Sequence, residues 1–253
     1  MHSLLLQMPN MGPSLSDFVT FSMSHFVPET LLTAGFLLAI VLDLLIRGTS
    51  TKKVVGYFTF LVLAVAFYFS WQQFIAAPEM KQIMEWKPGT MIFPYSQTLP
   101  GGQVDPASKE IFAPYAMAVV DNFAVIFKLI IALAGMFVVG MSLLSKEVEK
   151  RGRRNGEFYA LLLAMSLGMF LMPASMDLVM MYISLELVSI TSYIMAGFMK
   201  DDARSTEASM KYVLFGAFSS GLMIYGFSLL YGLTGTTNIR AIHEILQIQF
   251  NSG

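Results

Sequence analysis

Six apolar stretches, each long enough to cross about 30 Å of hydrocarbon at about 1.5 Å per residue, constrain this chain more than any motif does. The first runs from Phe26 to Ile46, enters through Pro28 and leaves at Arg47 and Gly48. The second covers Val54 to Ala77 and the third Ala116 to Leu144. The next apolar block, Glu157 to Phe198, would measure about 63 Å as one helix, twice the membrane thickness. Pro173 sits near its middle, with the capping types Ser175 and Asp177 just beyond, so two helices are expected, over 157–172 and 177–199. The sixth stretch is Ser205 to Leu233. The expectation is an all-α membrane protein of six transmembrane helices.

Composition enters as the test of that reading. Charged residues are 13% of the chain and hydrophobic residues 55%. Soluble domains carry about 25% charge, so a water-facing surface is out of reach here. A net charge of −1 gives no basic footprint for nucleic acid. Cysteine is absent, which removes disulfides, thiolate–zinc sites and cysteine-ligated iron–sulfur clusters from this chain. His2, His25 and His243 stand apart, without a partner at metal-ligand spacing, and no metal site is expected. The N-terminus lacks the basic segment of a signal peptide, and Pro9, Asn10 and Pro13 break its apolar run.

Basic residues in the links set the orientation. Arg47, Lys52 and Lys53 follow the first stretch, Lys146, Lys150, Arg151, Arg153 and Arg154 the third, and Lys200 and Arg204 the fifth. Lys81, Lys87, Lys109 and Arg240 lie on the opposite side, the first three among acids in the 78–115 loop. The first set therefore faces the cytoplasm, and both termini are expected on the non-cytoplasmic side. The 78–115 loop carries Pro78, Pro88, Pro94, Pro100, Pro106, Pro114 and Gly101–Gly102, which is turn chemistry. After turn residues 235–238, residues 239–250 place apolar side chains at helical spacing over too short a length to span. An interfacial amphipathic helix is expected there.

Ionisable residues inside such helices cost about 2.5–3.5 kcal/mol each on insertion scales and are functional candidates by default. Glu186 falls near the middle of the fifth stretch. Tyr182, Ser189 and Tyr193, at −4, +3 and +7, lie within about 60° of it on a helical wheel. Packing alone would explain a protonated glutamic acid hydrogen-bonded to a neighbouring helix. A proton carrier is the alternative: burial disfavours a carboxylate and a nearby cation favours it, so a glutamate between the two influences can load and release a proton. Lys211 has two readings. Twenty-two residues follow it up to Leu233, enough to span unaided, so it either snorkels at the boundary with Glu207 or reaches the channel. Lys128 reads as deep in the third stretch, and Asp43 as a partner of Arg47 four residues on. Gly216, Ala217, Ser220 and Gly221 fit small-xxx-small helix packing.

These segments resemble subunit N of the proton-translocating NADH–quinone oxidoreductase (complex I), the bacterial counterpart of mitochondrial subunit 2. The resemblance rests on YISLELVSITSY (182–193), on RSTEASMKYVLFGAFSSGLMIYGFSLLYGLTGTTN (204–238), on PETLL with Asp43, on DNFAVIFKLI (121–130) and on EFYALLLAMSLGM (157–169). It implies that Glu186 is the glutamate of a proton half-channel and Lys211 the lysine that modulates it. Lys128 falls where such subunits often carry a lysine. It implies an antiporter-like inverted-repeat core beginning near residue 156, preceded by a three-helix accessory region over 1–155. Residues 156–253 would then be an incomplete first repeat, since family members are about twice as long and have helices beyond the sixth. NADH, FMN, iron–sulfur clusters and quinone are implied in partner subunits, with none bound by this chain; other membrane subunits of the complex are the implied partners, and the location implied is the bacterial inner membrane. Two rivals stand beside this reading: a subunit of a multi-subunit cation/proton antiporter, and a non-conducting membrane scaffold.

Overall fold

In the computed structural model, residues 26–45, 51–84, 94–95, 115–145 and 155–251 are described. Seven helices run in chain order: α1 (Val27–Leu45), α2 (Thr51–Met84), α3 (Asn122–Leu144), α4 (Asn155–Ala174), α5 (Leu178–Ala196), α6 (Ala203–Thr234) and α7 (Ile239–Asn251). The short strands β1 (Pro94–Tyr95) and β2 (Tyr115–Ala116) pair antiparallel between α2 and α3. The first six helices are long and apolar enough to cross a membrane, and the chain is a multi-pass α-helical membrane protein. The outward faces agree, since Leu44, Phe137, Leu144 and Phe215 are each more than two-thirds exposed. In water that surface would aggregate, and in lipid it is the ordinary contact face.

Helices α1 to α4 share one apolar core, built from Leu32 and Ala39, Val55, Val62, Leu63 and Ala66, Ala132 and Val139, and Leu162, Leu163 and Phe170. Within it α1 packs on α2 and α4, and α3 packs on the same two, so α1 and α3 occupy opposite corners. Small residues set the close approaches. A side chain at Gly35 would strike Val62, and one at Gly168 would strike the α5 backbone at Ser184 and Val188. Beyond α4 the bundle thins: α5 packs on α4, and α6 on α5. No residue of α6 is buried.

Caps explain where the helices differ from expectation. α3 begins at Asn122 rather than Ala116, because Asp121 caps it, accepting the Ala124 N–H at 2.7 Å. The residues before it stay extended and pair with the turn after α4: the Val119 N–H donates to the Ala174 carbonyl and the Met176 N–H to the Met117 carbonyl. The break between α4 and α5 falls where Pro173 and Asp177 place it, with Asp177 accepting the Val179 N–H at 2.8 Å. Asp177 also accepts the Thr237 hydroxyl at 2.5 Å, and the Leu178 N–H donates to the Thr237 carbonyl. These bonds knit residues 117–119, 174–178 and 237–239 into a seam across the end of the bundle where α3 and α5 start. α2 continues past Pro78 to Met84. Residues 1–25, most of the 78–115 loop, and the link charges Arg47, Lys146, Lys150, Arg151, Arg153 and Arg154 lie outside the described residues.

Candidate proton-carrying site

Glu186 sits eight residues after the first residue of α5 and ten before its last, about 12 and 15 Å along the axis. The helix holds it at mid-span because Asp177 fixes one end and Gly197 the other. The residue is half-buried, and its Oε1 is fully enclosed without a hydrogen-bond partner among the described residues. An unpartnered buried carboxyl oxygen is costly, so this atom marks a site that chain packing alone does not satisfy.

Tyr182, Ser189 and Tyr193 are also half-buried. Tyr193 leans onto α6: its ring meets Tyr212 edge-on at 4.6 Å, and a side chain at Gly216 would land on its hydroxyl. The Ser192 hydroxyl donates to the Ser189 carbonyl at 2.7 Å and lies 3.2 Å from the Tyr212 hydroxyl. The Ser192 and Tyr212 hydroxyls thus meet between α5 and α6, at a level between Glu186 and the α5–α6 turn. Ser184 and Thr191 take no part, since they are buried and donate to the carbonyls of Met180 and Leu187 on their own helix.

Lys211 is in the adjoining helix and does not meet Glu186. Its ammonium donates to Glu207 at 2.5 Å, and both side chains are about two-thirds exposed to the outside of the bundle. The α5–α6 contacts fix the vertical offset. Tyr193 lies against Tyr212 and Gly216, Gly197 against Ser209, and Ala196 against Ser205. That register sets Glu186 level with the turn around Ser219, about 12 Å along α6 from Lys211. Ser189, Ser192, Tyr193 and Tyr212 lie at levels between the two.

Two pairings were not foreseen. Lys128 is fully buried as expected, but only six residues into α3, and it forms an ion pair with Glu29 of α1. Glu29 reads in sequence as an ordinary acid in a first helical turn. The usable signal is that Asp121 moves the start of α3 forward and brings Lys128 to the level of Glu29. Asp43 faces the backbone of Gly156 at the start of α4, where a side chain would collide with its carboxylate. Its expected partner Arg47 lies outside the described residues. Among the described residues no group of three His, Asp or Glu side chains is arranged to hold a metal ion.

Comparison with known proteins matches residues 175–253 to the family described as NADH:quinone oxidoreductase/Mrp antiporter, transmembrane region. A subunit N of NADH-quinone oxidoreductase from Chloroherpeton thalassium is 39% identical over 246 residues, covering 96% of this chain and 42% of the relative. One from Chlorobium chlorochromatii is 37% identical over 227 residues, covering 90% and 38%. The chain therefore spans about two-fifths of the length of these relatives. Among solved structures, respiratory complex I from Thermus thermophilus superposes with a TM-score of 0.56 at 25% identity, over 83% of this chain and 38% of the matched one. An archaeal membrane-bound sulfane sulfur reductase superposes with a TM-score of 0.64 over 87% and 39%, and at 19% identity that likeness concerns the fold alone.

Proposed function

We propose that this chain, a relative of NADH-quinone oxidoreductase subunit N along nearly its whole length, carries a proton half-channel in a respiratory quinone-reducing membrane complex. Glu186 is the carrier. The observation behind this is its enclosed, unpartnered Oε1 at mid-span of an apolar helix, with hydroxyl-bearing residues on the following turns. A proton arriving along Ser189, Ser192, Tyr193 and Tyr212 neutralises the carboxylate, and its departure restores the charge. Lys211, offset by about 12 Å along the helix axis, acts on Glu186 through space. Its ammonium is held by Glu207, so release from that acid is the movement that would change its influence on Glu186.

In this reading residues 1–155 form the accessory region and 156–253 the first part of an antiporter-like repeat. NADH oxidation, FMN, iron–sulfur clusters and quinone belong to partner subunits. The membrane is a bacterial inner membrane, with both termini on its non-cytoplasmic side. Glu186→Gln in the assembled complex is expected to cut proton translocation per electron while leaving assembly intact. Wild-type pumping by the assembled variant would refute the role.

The matched family also spans antiporters, so a second reading is a subunit of a cation/proton antiporter. Sodium- or potassium-dependent proton exchange in vesicles without any electron donor would favour it.

A further inference from the structure

The proposed half-channel makes no use of the Glu29–Lys128 pair. We propose that Glu29 and Lys128 form a second intramembrane acid–base site, in which a proton passes between the lysine ammonium and the glutamate carboxylate. The site does not depend on the role given to Glu186.

Position comes first. α1 and α3 stand at opposite corners of the four-helix core, each packed on α2 and α4 rather than on one another. The two side chains therefore meet across the interior of the bundle. Their side chains are 5% and 0% exposed, too little for bulk water to screen either charge.

Surroundings come second. Neither Glu29 oxygen nor the Lys128 Nζ has a further hydrogen-bond partner among the described residues. The Phe26 ring lies 5.4 Å from the ammonium, and Phe26, Ala118, Val120, Ala124, Val125 and Ala174 close this end of the core with apolar groups. Lys53, Asp43 and Glu157, on the elements around the pair, are all at the opposite end of the bundle. Asp121 is occupied with the Ala124 N–H, and Asp177 with the Val179 N–H and the Thr237 hydroxyl.

Chemistry follows from these facts. A buried ion pair is favourable against apolar replacement only when extra hydrogen bonds satisfy its remaining lone pairs and protons. This pair lacks them, so stability does not account for its presence. The alternative state breaks one N–H bond and makes one O–H bond, leaving an amine beside a carboxylic acid, with no co-reactant. Dry surroundings favour that neutral state and mutual attraction favours the ionic one. A proton-exchanging site requires both influences, and this pair is subject to each.

The test is infrared difference spectroscopy between wild-type and variant membranes carrying the assembled complex at the same pH, following the carboxylic-acid carbonyl band. A wild-type band that vanishes in Glu29→Gln and shifts without vanishing in Glu29→Asp is the expected result. Lys128→Met is expected to enlarge the band, because the carboxylate loses its cation. Should a single variant fail to assemble, the double variant Glu29→Gln/Lys128→Met, which leaves no buried charge, supplies the comparison spectrum. Absence of any Glu29-dependent acid band in assembled wild type at every pH overturns the proposal and leaves the pair a structural pin. Glu186→Gln serves as control: its own band disappears while that of Glu29 persists, so the two assignments fail separately.

Discussion

Gly168 of α4 is the position where packing and the proposed chemistry are most directly linked. A Cβ built there would lie 2.8 Å from a Val188 methyl, 2.9 Å from the Ser184 carbonyl oxygen and 3.1 Å from the Val188 amide nitrogen. The methyl can rotate away, but the two backbone atoms cannot move without shifting the α5 turn that carries Glu186. Gly168→Ala therefore forces α4 and α5 apart, at a cost of about 1–3 kcal/mol, the usual range for overpacking a well-filled interior. Against it works the better helix propensity of alanine, about 1 kcal/mol at most. Gly221 of α6 supplies the control, having no atom within 4 Å of the same added carbon. Gly221→Ala is expected to leave stability unchanged or slightly raised. Thermal unfolding of the assembled complex, paired with proton translocation in vesicles, checks both variants. If Gly168→Ala unfolds at the same temperature as Gly221→Ala and pumps like wild type, the close α4–α5 approach is not what fixes Glu186.

Other predictions follow from single interactions. Asp177→Ala removes the α5 cap and the bond to Thr237 together, a loss of about 1–3 kcal/mol, whereas Thr237→Val removes only the second, about 0.5–1.5 kcal/mol. Chemical denaturation should rank them in that order, and equal midpoints would dismiss the capping role. Lys211→Met and Glu207→Gln each break an exposed pair worth about 0.5 kcal/mol or less, so neither should alter stability measurably. Lys211→Met should depress proton transfer the more strongly, since Glu207→Gln frees the lysine but leaves its charge in place. Equal loss in both variants would mean that the pair, and not the lysine, matters.

The spans were legible because hydropathy and length are one-dimensional quantities. All six expected stretches became membrane-length helices, and Pro173 with Asp177 divided the long block where the chain turns. The third helix was misjudged at its start because Ala116 to Val120 is as apolar as a helix interior. What diverts it is pairing with the 174–176 backbone, a long-range bond that composition does not register.

Lateral position is the harder property, and the two lysines show why. Depth in the sequence separates Lys128, well inside its stretch, from Lys211, near the boundary, but it gives neither one a direction. In the fold one is sealed at the centre of four helices against Glu29, and the other stands on the outward face of α6 beside Glu207. Water-soluble helices advertise their buried face as an apolar stripe. A membrane helix is apolar on the lipid side as well, so the stripe disappears and the inward direction with it. What remains is the placement of polar atoms. On α5, Glu186, Ser189 and Tyr193 lie on a common face, and the structure brings Tyr193 of that face against Tyr212 and Gly216. A hydrophilic stripe within a uniformly apolar helix therefore tells more about direction than hydropathy does. A lone charge such as Lys128, without polar neighbours on its own helix, gives its direction only once the partner across the bundle is known.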